Sequence, residues 1–332
     1  MRTNRHIIDS RQFKEREVLE RLFELSDDMK AYKYFELEGG QYEKLLLSSE
    51  PRKKILCTLF YEPSTRTRFS FESAMKLIGG DFINTESAGH FSSAAKGESI
   101  PDAITVIGNY VDAIVMRHPK RGNARLAAEH SPVPIINAGD GDGQHPTQTL
   151  LDIYTINEEL GRIDDLEVGM VGDLLKGRTV HSLAYLLAHQ KNIKLYFVSP
   201  GMIRMPPDII KYLERKNIPV EETADLKKVA KRVDVLYVTR IQKERLRPED
   251  YEKVKGVYVV DGEMADSMKK DSIIMHPLPR VDEILTEVDE HSRAAYFRQA
   301  ENGQYVRMAL LKTILEPDKY WSEFFSRPIP KK

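Results

Sequence analysis

Along most of its length this chain alternates short apolar runs of strand length with segments whose apolar residues recur at helical spacing. That alternation constrains the fold more than any other feature. Strands separated by helices pair in parallel, and a parallel sheet needs both faces covered. In the first half the strand-type runs are 54–60 (KILCTLF), 112–116 and 133–137. Helical spacing covers 11–30, which Ser10 would cap, then 100–110, 123–130 and 145–160. Residues 69–78 (FSFESAMKLI) are helical and stop at Gly79-Gly80, whereas 81–99 read as a polar loop. In the second half strands are predicted at 167–171, 194–198, 219–222, 233–238, 257–261 and 272–275. Helices are predicted there at 178–190, 207–216, 225–232 and about 293–314. At 332 residues the chain exceeds the usual size of one domain. The expectation is α/β: two doubly wound domains, each with a central parallel sheet, linked by helices, at 1–150 and 151–292. The C-terminal helix, about 293–332, would pack back onto the first domain. Ligands of such sheets bind beyond the carboxyl ends of the strands, so the active site is expected in the interdomain cleft.

Charge and apolar content narrow the partners. Lys and Arg number 50 against 51 Asp and Glu, a net charge of −1, which implies no basic face and makes nucleic acid a poor partner. The apolar runs stop well short of the ~20 residues a membrane-spanning helix needs, and the opening MRTNRHIIDSRQFKERE does not read as a signal peptide. Cys57 is the single cysteine, so no intramolecular disulfide forms, which fits a reducing cytoplasm. Inside an apolar strand it reads as core rather than nucleophile.

The chemistry gathers at strand ends. Between the strand at 54–60 and the helix after it the chain reads Ser64-Thr65-Arg66-Thr67-Arg68. A helix N-terminus exposes unpaired N–H groups and the positive end of the helix dipole, which suits an anion. Three hydroxyls and the guanidinium forks of Arg66 and Arg68 are well shaped for phosphate oxygens. The plain alternative is an ordinary N-cap with solvated arginines. Further polar residues end other strands: Arg117 and His118; His145 and Gln148; Asp173 and Arg178; Arg240 and Gln242; His276 and Arg280. Singly each is a turn or surface residue. Together, Arg66, Arg117, Arg178 and Arg240 would form an electropositive cleft for a small polyanionic ligand. Two other motifs compete. Residues 172–179 (GDLLKGRT) nearly fit a P-loop, with 257–261 as the apolar strand whose final Asp would hold magnesium. Arg178, however, stands where a P-loop requires lysine. Asp140, Asp142 and His145 could gather a metal, although a glycine-rich turn presenting His145 at a helix start is the simpler reading.

Taken in order, FYEPSTRTR (60–68), VMRHP (115–119), NAGDGDGQHPTQTLLD (137–152), MVGDLLKGRTVHSL (170–183), TRIQKER (239–245) and HPLPRVDEI (276–284) resemble the catalytic chains of aspartate carbamoyltransferases. The resemblance runs over nearly the whole chain. It implies transfer of the carbamoyl group of carbamoyl phosphate to L-aspartate, the committed step of de novo pyrimidine synthesis. It also implies a homotrimer with sites shared between subunits, and no metal or nucleotide cofactor. By resemblance Ser64, Thr65, Arg66 and Thr67 hold the phosphate, and Arg117 bridges phosphate and carbonyl. Thr67 and His145 donate to the carbonyl oxygen, and Gln148 holds the carbamoyl amide. Ser92, or Ser93 in its place, and Lys96 match loop residues inserted into the neighbouring subunit's site. Arg178, Arg240 and Gln242 match the residues that bind the aspartate carboxylates, with Lys96 beside them. Leu278 and Pro279 match backbone carbonyls that contact the reacting groups. Glu62 and Arg245 match a closed-state contact between domains.

Two departures stand out. Ala95-Lys96 replaces the two adjacent lysines of some members, and Lys176 lies one place from a lysine in some relatives. Ornithine carbamoyltransferase is the nearest rival and shares an STRTR-type loop. It usually has a Cys in an HCLP segment, where this chain has His276-Pro277-Leu278-Pro279. The paired Arg178 and Arg240 favour a dicarboxylate over a basic second substrate. Whether a regulatory chain or another pyrimidine enzyme binds such trimers is left open by the sequence.

Overall fold

The computed structural model describes residues 5–34, 44–50, 52–88, 96–242 and 246–320. The chain forms two compact units, one running to Leu150 and resuming at Asn302, the other spanning Leu151–Glu301.

The first unit holds four parallel strands: β1 (Ile55–Phe60), β2 (Asp81–Glu86), β3 (Ala113–His118) and β4 (Ile135–Asp140). Their order across the sheet is β2-β1-β3-β4. Around them run α1 (Arg16–Tyr34), α2 (Thr65–Leu77), α3 (Ile100–Ile107), α4 (Asn123–His130) and the start of α5 (Pro146–Leu160). Leu59, Ile104, Ile114, Met116 and Ile135 are buried together, each such side chain contributing about 1.5–3 kcal/mol on removal from water. Cys57 lies in the same cluster, and burial pushes its thiol up to about 12, so it is core and not a nucleophile at neutral pH. The N-terminal helix differs from expectation. A 3₁₀ turn at Ser10–Phe13 comes first, capped by the Asp9 side chain with Gln12 reaching back, and the α-helix starts at Arg16.

The second unit holds five parallel strands: β5 (Glu167–Val171), β6 (Lys194–Val198), β7 (Val220–Thr223), β8 (Val235–Val238) and β9 (Ile273–Met275). Their order is β7-β6-β5-β8-β9. Its helices are α6 (Arg178–Leu187), α7 (Pro207–Arg215), α8 (Leu226–Ala230), α9 (Pro248–Val254), α10 (Gly262–Ser267) and the first turns of α11 (Tyr296–Leu315). The chain changes unit twice, within α5 and within α11. No helix among the described residues is long and apolar enough to cross a membrane.

Two expectations are corrected. The stretch 81–99 is not all loop, because its first six residues, DFINTE, form β2. This edge strand is bonded on one side only and stays half exposed, so its polar sequence carries no apolar signature. The run at 257–261 is not a strand. Val260 makes only an isolated bridge to Ile284, and the Asp261 carboxylate caps α10 by accepting the Met264 N–H at 2.8 Å. The magnesium-binding half of the P-loop alternative is therefore a helix cap.

Candidate active site

In each unit the strand order reverses beside one pair of strands, β1 and β3 in the first unit and β5 and β8 in the second. Loops leaving the carboxyl ends at such a point diverge to opposite faces and leave a crevice.

In the first unit the β1–β3 register sets Phe60 beside Arg117. The Tyr61 N–H donates to the Arg117 carbonyl at 2.8 Å, which carries the turn toward Ser64 along the end of β3. Ser64 is the N-cap of α2, yet its side chain makes no capping bond, which departs from the ordinary-cap alternative. Thr65 and Arg66 are exposed and Thr67 is buried, all within the first turn, where backbone amides have no intrahelical acceptors. Arg68 belongs to the packing instead. Its guanidinium lies 3.8 Å from Glu72 and 3.3 Å from Glu86, which ties it to α2 and to the end of β2. Arg117 itself lies 2.7 Å from Glu62 Oε1.

His145 follows the turn after β4. The Asp140 carboxylate accepts the Gln144 N–H at 2.7 Å and the Gly122 N–H at 2.9 Å, so it organises that turn. Among the described residues no group of three His, Cys, Asp or Glu is placed to hold a metal. The His145 carbonyl accepts the Gln148 and Thr149 amides at 3.0 and 3.1 Å, which starts α5 and buries the His145 and Gln148 side chains in its first turn. Lys96 is exposed on the stretch that follows β2. Ser92, its alternative Ser93, and Arg245 lie outside the described residues.

In the second unit Gly172 leaves β5 at φ +110, and a Cβ there would fall 2.1 Å from the Thr239 carbonyl oxygen. Only glycine lets the loops after β5 and β8 approach so closely. The β5 loop is held by the Asp173 carboxylate, which accepts the Lys176 N–H at 2.9 Å. His181 Nε2 donates to the Leu174 carbonyl at 2.7 Å. Gln242 Nε2 donates to the Lys176 carbonyl at 3.3 Å, tying the two loops together. Arg178, buried, opens α6, and Arg240, half-buried, follows β8. Two arginines thus flank one switch point.

Beyond β9 the chain reads His276-Pro277-Leu278-Pro279, with Leu278 at φ +51 and a cis peptide to Pro279. A non-glycine residue held at positive φ costs about 1–3 kcal/mol and persists only where its surroundings impose it. The surroundings here were not read from the sequence. His276 pairs with Glu283, and the His276 N–H is accepted by Gln299. Gln299 and Tyr237 in turn donate to Asp152. Burial alone would push the Glu283 carboxyl up, but the His276 hydrogen bond and backbone amides outweigh it and hold it below its ordinary value. One signal was available: Asp152 interrupts the apolar helical run TLLDIYTI (149–156), where an acid needs internal partners.

Each unit thus carries basic and polar side chains at its own switch point, and together they define an α/β protein built for small anionic substrates. Residues 5–158 match the aspartate/ornithine carbamoyltransferase carbamoyl-P binding domain, and residues 164–314 match the Asp/Orn binding domain of the same group. The chain belongs to the aspartate/ornithine carbamoyltransferase family. It is 55% identical over 287 residues to the aspartate carbamoyltransferase catalytic subunit of Methanocaldococcus jannaschii, covering 85% of this chain and 93% of the relative. It is 50% identical over 311 residues to the chloroplastic aspartate carbamoyltransferase of Oryza sativa, covering 93% and 84%. Among solved structures, the M. jannaschii aspartate transcarbamoylase catalytic subunit superposes with a TM-score of 0.84 at 50% identity, covering 95% of this chain and 99% of that one. Aspartate transcarbamoylase from Trypanosoma cruzi, in complex with carbamoyl phosphate and aspartate, also gives 0.84, at 37% identity and 93% and 96% coverage.

Proposed function

We propose that this protein transfers the carbamoyl group of carbamoyl phosphate to the amine of L-aspartate, giving N-carbamoyl-L-aspartate and phosphate for de novo pyrimidine synthesis. Relatives at about 50% identity over most of the chain are aspartate carbamoyltransferases. The T. cruzi relative has been solved with carbamoyl phosphate and aspartate, and with carbamoyl aspartate and phosphate. The observation that supports the reading most is the β1–β3 register, in which the strand leading to Ser64-Thr65-Arg66-Thr67 ends beside Arg117.

In this reading the phosphate takes the first-turn amides of α2, the hydroxyls of Ser64, Thr65 and Thr67, and the Arg66 fork. Arg117 spans phosphate and carbonyl, and Gln148 holds the carbamoyl amide. Arg178, Arg240 and Gln242 hold the two aspartate carboxylates, and the Leu278 and Pro279 carbonyls meet the reacting groups. The neutral amine attacks the carbamoyl carbon, so a C–N bond forms while negative charge grows on the carbonyl oxygen. Thr67 and His145 donate to that oxygen. Preplaced donors of this kind lower the barrier, and losing one typically costs ~10²–10³ in rate. The carbon–oxygen bond to phosphate then breaks with its electron pair, and a phosphate oxygen accepts the amine proton. Holding both substrates in line supplies much of the remaining acceleration. Glu62 and Arg245 keep the closure role drawn from the resemblance.

The working assembly in this reading is a homotrimer in a reducing cytoplasm, with Ser92 and Lys96 serving a neighbour's site. The exposure of Lys96 supports the shared site, and a single cysteine, able to form no internal disulfide, fits a reducing compartment. A direct test follows ¹³C-labelled carbamoyl phosphate by NMR. Phosphate should appear at a rate that depends on added aspartate, with the label entering carbamoyl aspartate. Phosphate release indifferent to aspartate would contradict the reading.

A further inference from the structure

The turn that leaves β9 is built around two side chains. His276 and Glu283 are both buried, with His276 Nε2 2.6 Å from Glu283 Oε1. On the other side of the ring, Nδ1 accepts the Leu278 N–H at 2.8 Å. An accepting nitrogen carries no proton, so this network assigns the imidazole hydrogen to Nε2, which donates it to Glu283. Glu283 Oε2 accepts the Val281 and Asp282 amides at 3.1 and 3.2 Å. The pair therefore satisfies three amides of one turn as well as each other. The His276 backbone is fixed in turn, its N–H donating to Gln299 Oε1 at 2.9 Å. Gln299 is held on Asp152 at 2.6 Å, and Asp152 also accepts the Tyr237 hydroxyl at 2.8 Å.

Within this frame Leu278 stands at φ +51. Folding alone does not call for such a solution. Glycine adopts that conformation without steric cost, and burying an imidazole and a carboxylate removes both from water, a cost that an apolar pair of similar volume does not carry. The frame does impose one direction on the peptide groups flanking Leu278. We propose that His276 and Glu283 are positioning residues for carbamoyl transfer. The bond from the Leu278 N–H to His276 Nδ1 holds Leu278 left-handed and so aims the carbonyls of Leu278 and Pro279 at the reacting groups. This inference rests on the carbamoyl-transfer reading and extends it to two side chains that contact neither substrate.

Two variants of the full chain separate positioning from packing. His276→Asn keeps an oxygen acceptor for the N–H two residues on, as in an Asx turn, while giving up the Glu283 contact. His276→Gln reaches toward Glu283 but gives up the acceptor beside Leu278. Amide hydrogen exchange at Leu278, thermal midpoints, kcat and both KM values are measured on wild type and both variants. His276→Asn should keep a slowly exchanging Leu278 amide and a kcat within about threefold of wild type. His276→Gln should exchange faster and lose about tenfold or more in kcat, since small misplacements near reacting groups carry penalties of that order. Its KM for carbamoyl phosphate should not change. Equal exchange and equal kcat in the two variants, or losses that follow the thermal midpoints alone, would overturn the positioning role. A wild-type chain that makes no carbamoyl aspartate would refute the parent reading instead, and the exchange comparison would still decide whether the Nδ1 bond sets the turn.

Discussion

Arg117 meets Glu62 Oε1 at 2.7 Å, so the guanidinium assigned to a phosphate is balanced by a carboxylate from its own unit. Both side chains are partly shielded from water. A phosphate arriving at Arg117 competes with that carboxylate. Glu62→Gln removes the competing charge and should tighten inorganic phosphate binding by roughly two- to fivefold, the span expected for an ion pair worth up to about 1 kcal/mol. Isothermal titration with phosphate checks this, and unchanged or weaker binding would show that Glu62 does not compete.

Arg66 and Arg68 should separate cleanly. Arg66→Ala is expected to abolish nearly all activity with little change in thermal midpoint. Arg68→Ala should retain a substantial kcat and instead destabilise the fold by about 1–3 kcal/mol, because buried Glu72 would lose a cationic partner. Paired melting curves and initial rates decide it. An inactive but fully stable Arg68→Ala protein would move Arg68 back into the anion site.

The proposed sharing of sites between subunits predicts complementation. Lys96→Ala and Arg66→Ala proteins should each be nearly inactive, and should regain activity after dissociation and reassembly as mixed trimers, where some sites draw intact halves from different chains. Activity that stays at the level of the separate variants would count against a shared site.

The His276–Glu283 pair also sets a pH dependence. The Glu283 carboxyl is held below its ordinary value in the folded chain. A carboxyl depressed in this way adds stability that is fully present above the unfolded glutamate pKa of about 4.3, and that is lost as pH falls through the lower folded value. The stability gap between wild type and Glu283→Gln should therefore be constant near neutrality and shrink below about pH 4.3. Thermal melts through the acid range measure it. A gap that keeps its size into strong acid would mean that the carboxylate charge contributes nothing.

The parallel sheets were legible because β1, β3, β4, β5, β6 and β8 are short apolar runs, and a helix lies between most neighbours in sequence. β2 was not, since DFINTE is an edge strand joined by backbone bonds on one side. The short helices α9 and α10, seven and six residues long, are too brief to show an apolar period, and only Pro248 opening the first and Asp261 capping the second mark them. Ser64, Arg117, His145, Arg178 and Arg240 could be singled out because each adjoins a strand end, and in each sheet the parallel strands bring those ends to one edge. Their partners could not. Arg68 with Glu86, Arg117 with Glu62, and Asp152 with Gln299 are joined only by the way the chain comes back on itself. Nothing in HPLP spells a left-handed leucine. That conformation is imposed by His276 and by Glu283 seven residues on.

The account turns on the second substrate. Carbamoyl phosphate is supplied with equal concentrations of L-aspartate and L-ornithine, and the carbamoylated products are resolved by mass spectrometry. N-carbamoyl-L-aspartate is the predicted product, because Arg178 and Arg240 suit a dicarboxylate and oppose a cationic side chain. Citrulline as the main product, or no carbamoylated amine at all, would contradict it.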